Sequence, residues 1–198
     1  MTSGFWWILV SMGIYGSVHS ILAGQSARLL ARRWFGAAGN RWYRLAYNLL
    51  AAVTLAPVLV LVRALPDGFI YRIPMPWMLL SMALQGIAIL AMIYLINETG
   101  MMTFVGLVSE ETRPGRLVTD GLYRWMRHPL YTCGLVILWL FPTMSWNLLA
   151  LAIGATIYIL VGIQFEERKL LCVYRNKYAD YRRRTPMLIP LPWRLKKP

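Results

Sequence analysis

The sequence predicts an all-α polytopic membrane protein, and three observations lead there. Its 198 residues are 58% hydrophobic and include nine Trp. Residues 5–27, 45–62, 73–97 and 129–165 form four runs without a single charge. The first three each approach the ~20 residues that cross a bilayer once, and the fourth is nearly double that. The segment Pro142-Thr143-Met144-Ser145-Trp146-Asn147 has turn-forming character and divides the fourth run into a helical hairpin. The expectation is five transmembrane helices in one domain over residues 1–198. Three spans occupy 1–97, and the half at 98–198 carries the polar motifs.

The charges supply the orientation. The formal net charge is +13. With five spans and the N-terminus outside, 19 of the 21 basic residues fall on one face, leaving only Arg63 and Arg72 opposite. The positive-inside rule makes the crowded face cytoplasmic, with anionic lipid contact as a second effect. Nucleic-acid binding is excluded, because no folded soluble region remains to present a groove-reading element. Cys133 and Cys172 stand alone, so they read as free thiols, with neither a disulfide nor a metal site.

Each element has its own signals. The first helix, near 5–24, opens with Phe5-Trp6-Trp7, the aromatic pattern of a membrane interface. No basic residue precedes it and no small-residue cleavage pattern follows, so it reads as a retained helix. His19 lies near its cytoplasmic end. An ionisable group in a span is costly unless used, which makes His19 a candidate for a substrate pocket; a bond to a neighbouring helix is the alternative. Residues 25–44 read as a basic, aromatic stretch along the cytoplasmic surface. The second helix starts near Tyr43 and brings Tyr47 and Asn48 to the depth of His19, so Asn48 joins the candidate substrate residues. The proline-rich outer loop 64–76 suits a tight crossing and little else. Gln85, in the third helix, reads as a helix–helix bond. The loop 98–121, with Glu110-Glu111, is long enough to cap a site from the cytoplasm. The last helix continues past the membrane with Tyr174, Tyr178 and Tyr181 on one face, which Glu167 shares. That stripe serves core packing or a ligand. Residues 187–198 form an extended tail.

The chemistry concentrates at 117–131, which holds Asp120, Tyr123, Arg124, Trp125, Arg127, His128 and Tyr131. The hairpin returns Glu166-Glu167 to the same membrane face, so two separated motifs build one polar site. Pro129 disfavours helix at the residue before it, which places His128 in an extended turn. There its ring and the neighbouring Arg127 guanidinium are expected to face ligand and water. A salt bridge from the Glu pair to Arg124 or Arg168 is the structural alternative.

Gly121-Leu122-Tyr123-Arg124, Arg127-His128-Pro129-Leu130-Tyr131, Glu166-Glu167, and Tyr178 and Tyr181 before Pro186 resemble the C-terminal signature of integral-membrane methyltransferases. That superfamily includes isoprenylcysteine carboxyl, phospholipid and methanethiol S-methyltransferases. The match covers about a third of the chain, and His19-Ser20 is similar to bacterial members of the methanethiol type. The resemblance implies a bacterial-type inner membrane and S-adenosylmethionine bound at the cytoplasmic end of the hairpin. It implies cofactor contacts from Gly121, Tyr123, Arg127, His128, Pro129, Tyr131, Glu166 and Tyr178. Arg127 suits the cofactor carboxylate and the glutamates its ammonium. Glu167 is the candidate general base if the acceptor arrives protonated. No metal is implied, and the partners are membrane lipids and a small or lipophilic thiol, amine or lipid acceptor, with no obligate protein partner. The chain departs from the pattern at Cys133, where a glycine is frequent, and at Tyr174-Arg175, where Phe-Gly is frequent. Leu160, Val161 and Gly162 replace the arginines of prenylcysteine enzymes, which argues against a prenylcysteine carboxylate. An NADPH-dependent membrane reductase and a non-catalytic assembly or carrier protein are the competing readings.

Overall fold

The computed structural model describes residues 1–99 and 116–190, without the side chains at 37–41 and 99. Helix α1 (Ser3–Leu22) starts at Thr2, whose hydroxyl accepts the Phe5 amide. Helix α2 (Gln25–Ala64) breaks at Gly36, where φ is 59°. Its apolar part, Trp42–Ala64, is the second candidate span. A short strand β1 (Phe69–Arg72) follows, then α3 (Trp77–Thr99). After a 3-10 turn at Gly121–Arg124 come α4 (Pro129–Trp139), β2 (Thr143–Ser145), α5 (Trp146–Tyr174) and α6 (Asn176–Arg184). The loop glutamates Glu110 and Glu111 and the tail 191–198 lie outside the described residues.

An all-α polytopic membrane protein is what the chain forms. Among the described residues, four helices are long and apolar enough to cross a membrane, namely α1, the second part of α2, α3 and α5. Their outward faces carry apolar side chains such as Ile14, Leu49, Val53, Ile87 and Leu90, as lipid-facing surfaces must.

The fourth expected span differs from a full helix. Helix α4 has 11 residues, ~16 Å at 1.5 Å per residue, against a hydrocarbon core of ~30 Å. Extended residues complete the arm, and β2 pairs antiparallel with β1, with Arg72 opposite Thr143 and Phe69 opposite Ser145. The outer loop and the hairpin turn, expected to be simple crossings, therefore form one ribbon. Backbone groups within a bilayer need partners from the protein, and α3 supplies them. Gln85 Nε2 donates to the Ile137 carbonyl at 2.7 Å, and the Ser81 hydroxyl donates to that of Leu140. Gln85 is thus the helix–helix bond expected of it.

The apolar core comprises Phe5, Ile8, Met12, Val58, Ala150 and Leu151, where α1, α2 and α5 meet. Lipid offers no hydrophobic drive for helices to associate, so close backbone approach has to supply it. Gly154 provides this, since a Cβ there would sit 2.8 Å from that of Met12. At the same end, fully buried Asn147 donates to the Val62 and Leu65 carbonyls, while its amide donates to Asp67.

Candidate functional site

At the opposite end, Pro129 occupies the first turn of α4 and His128 its N-cap, with φ −125° and ψ 63°. Proline is suited to that first turn because it has no amide to leave unpaired. The Arg127 amide donates to the Pro186 carbonyl at 2.9 Å, and that of His128 to Met187 at 3.1 Å. The Thr132 hydroxyl adds a bond to the Leu188 carbonyl. The start of the tail, expected to be simply extended, is therefore laced to the Arg-His-Pro motif.

Beneath this lacing lies an ion cluster. Glu167 Oε1 accepts Arg127 Nε and Nη2, each at 2.7 Å, and lies 3.2 Å from His128 Nε2. Its Oε2 lies 3.2 Å from Arg182 Nε. Arg127 Nη1 donates to the Arg182 and Thr185 carbonyls at 3.0 and 2.6 Å. A guanidinium has five N–H donors, and four of these are spent inside the protein. His128 and Glu167 are buried. Arg127 and His128 thus do not face open water as expected; they tie α4, α5, α6 and the tail together. Glu167, the expected base, has both oxygens occupied in the same lattice.

Its neighbour faces the other way. The Glu166 side chain is 45% exposed, its Oε2 accepts the Tyr131 hydroxyl at 3.0 Å, and it stands 3.8 Å from His128 Nδ1. The Tyr131 ring stacks on His128 with centroids 5.7 Å apart. Gly121 opens the 3-10 turn at φ 60°, a value L side chains resist. The turn carries Tyr123, whose carbonyl accepts the Tyr181 hydroxyl at 2.6 Å. Tyr178 is 1% exposed, and its hydroxyl has no hydrogen-bond partner among the described residues. Burial pushes the Tyr178, Tyr181 and Tyr123 phenols up; Glu167 reinforces this at Tyr178, Tyr178 at Tyr181 and Glu166 at Tyr123. All three stay protonated donors at neutral pH.

The two helix-one and helix-two candidates stand apart from this cluster. His19 is hydrogen-bonded to the Tyr47 hydroxyl and packed among the rings of Tyr15, Tyr47 and Tyr158. Asn48 lines an adjacent cleft of about 420 Å³ with Tyr47, Arg28, Arg44 and Lys169. The sequence reading assigned no site role to Arg182, Thr185, Tyr15 or Tyr158. Tyr15 carried a signal, since it precedes His19 by one helical turn; Tyr158 carried none without knowledge of how α5 packs.

The sequence model of the phospholipid methyltransferase family matches residues 76–177, just over half of the chain. The chain belongs to the phospholipid methyltransferase family. It is 32% identical over 196 residues to a methanethiol S-methyltransferase of Mycobacterium tuberculosis, covering 94% of this chain and 78% of that protein. It is 37% identical over 112 residues to one of Crocosphaera subtropica, covering 54% of this chain and 44% of the relative. With methanethiol S-methyltransferase 1 of Bradyrhizobium diazoefficiens it shares 43% identity over 88 residues, 44% of this chain and 30% of that protein. It thus spans less than half of the second and third relatives. No solved structure matches it. Family and relatives together make it a membrane methyltransferase, and the competing readings of a reductase and of a non-catalytic carrier give way.

Proposed function

We propose that this protein transfers a methyl group from S-adenosylmethionine to a small or lipophilic thiol at the cytoplasmic end of its helices. The observation that carries the reading is the orientation of Glu166, a half-exposed carboxylate held by Tyr131 beside the ion cluster of Arg127, Arg182 and Glu167. A donor with ammonium and sulfonium charges fits an outward carboxylate. The half-exposed Arg182 guanidinium suits the donor's carboxylate. Arg127, with one donor to spare, and His128, behind Tyr131, serve the same site mainly by fixing its walls. Pro129 and Gly121 set the backbone that presents Tyr131 and Tyr123.

S-adenosylmethionine supplies an electrophilic methyl carbon on a sulfonium. The chain's own work is to align acceptor and donor, and such proximity is worth ~7–11 kcal/mol of barrier. A thiol is favoured because the curated relatives act, by name, on methanethiol. The N-terminus lies outside and the C-terminus in the cytoplasm of a bacterial-type inner membrane, as the basic residues demand.

Membrane vesicles test both parts together, because the charged methyl donor does not cross a bilayer. Given methyl-labelled donor, inside-out vesicles should transfer label to an added alkanethiol, and right-side-out vesicles should not. Label entering phosphatidylethanolamine instead would replace the thiol by a lipid amine. Equal transfer in both preparations would overturn the orientation.

A further inference from the structure

We infer that the acceptor is a thiol with an alkyl tail, and that the tail lies in a cavity of about 430 Å³ between α1 and α2. This rests on the methyl-transfer reading above and adds to it the acceptor's class and its seat. Ile14, Tyr15 and Val18 of α1 line the cavity with Val53, Thr54 and Pro57 of α2, and no lining residue carries a charge. The Thr54 hydroxyl is spent on the Leu50 carbonyl at 2.7 Å. The volume is ordinary for a small-ligand site, and walls of this kind suit an alkyl group. Ile14 and Val53 are largely exposed, so the cavity opens towards lipid, where alkyl thiols concentrate.

Rings connect the cavity to the donor end. Tyr15 stacks on His19 with centroids 5.6 Å apart and stands 5.7 Å from the ring of Tyr158 on α5. Tyr158 is in turn 5.5 Å from His19. It reaches α1 over Gly16, where a Cβ would lie 3.1 Å from the ring. Tyr158, Gly162 and Glu166 follow one another at i, i+4 and i+8 on α5. They share one face, with ~12 Å of rise from the ring to the carboxylate. A Cβ at Gly162 meets no described atom within 4 Å. That leaves room between the two for the sulfonium arm of a donor whose ammonium meets Glu166. A sulfur at the Tyr15–His19–Tyr158 cluster then faces the methyl group, and its tail extends away into the cavity.

An acyl chain of the bilayer is the other filler that an apolar groove can take. It has no use for what stands at the inner end. An ionisable ring in a span is costly unless used, and His19 is packed there among Tyr15, Tyr47 and Tyr158. A charged amine would set its charge against walls that offer it no partner. The cavity therefore selects a neutral acceptor, and it has space for tails longer than the single methyl of the acceptor in the relatives' names.

Filling the cavity from either wall tests this. Thr54→Phe and Val18→Phe are compared with wild type in proteoliposomes on straight-chain thiols from ethanethiol to octanethiol. The bilayer enriches each thiol equally for all three proteins, so the wild-type to variant ratio of kcat/KM isolates the cavity. That ratio should grow with tail length and reach ~10-fold or more at hexanethiol, the effect of crowding a filled site. Both variants should keep wild-type affinity for S-adenosylhomocysteine, which also reports their folding. A second measurement needs no variant. A hexanethiol analogue with a photoreactive group at its far end should label residues 11–18 or 53–61 of the wild type, and excess hexanethiol should prevent it. A ratio constant along the series, or label spread over the other spans, would overturn the inference and leave the methyltransferase reading standing. Absence of thiol methylation by the wild type would overturn both.

Discussion

Glu166 and Glu167 are adjacent in the chain yet have separate fates, because successive helical residues point ~100° apart. Glu167 was expected to share one helical face with Tyr174 and Tyr178, but Tyr178 lies on α6, and Arg182 at the end of that helix reaches back to Glu167. The contacts from Arg127, His128 and Arg182 are what bury it. Glu167→Gln removes the charge that Arg127, His128 and Arg182 share. Breaking a buried ion pair from one side costs ~3–5 kcal/mol, so this variant should unfold at markedly lower denaturant than wild type. Unchanged unfolding would show that the cluster is not structural. The meeting of the Arg-His-Pro motif with the Glu pair was legible in the sequence, since an uncharged hairpin leaves them one place to meet. The burial of Arg127 was not, because it depends on the carbonyls of Arg182 and Thr185, and carbonyls leave no trace in residue type.

At the scale of elements, the deciding corner is Arg175. It joins α5 to α6 with φ 48° and ψ −123°, a region that costs a non-glycine residue ~1–3 kcal/mol. The sequence reading carried one helix straight through this point, as apolar and aromatic spacing suggests. It also noted that the family often has glycine here, and the backbone supplies the reason. Without the corner, Tyr178 and Tyr181 would point away from the site. Arg175→Gly should relieve the strain and, after glycine's entropy cost, stabilise the fold by ~1 kcal/mol in reversible unfolding. Destabilisation would mean that the arginine side chain does more than the backbone resists. The half-length α4 was equally hidden: residues 129–165 carry no charge, so nothing in composition marks where helix gives way to ribbon. Gln85 and Ser81 were the available clue, being polar groups placed to meet two free carbonyls.

Over the whole molecule, the two ends divide the labour. One end holds the apolar core and the Asn147 latch, and it keeps α1, α2 and α5 together. The other gathers the ion cluster, the Glu166–Tyr131 pair and the cationic cleft. Charge-free runs and lopsided basic residues made this division legible before any coordinates, since the bilayer sorts residues by polarity more strictly than water does. Which carboxylate is buried in the ion cluster and which is left half-exposed needed three dimensions. Calorimetry with S-adenosylhomocysteine on purified wild type and Glu166→Gln tests that assignment most directly. Wild type should bind one ligand per chain and should not bind NADPH. Glu166→Gln should stay folded yet bind ~10-fold or more weakly, the loss of a charge-assisted contact worth ~1.5–3 kcal/mol. Wild-type affinity in Glu166→Gln, or no binding by the wild type, would contradict the account.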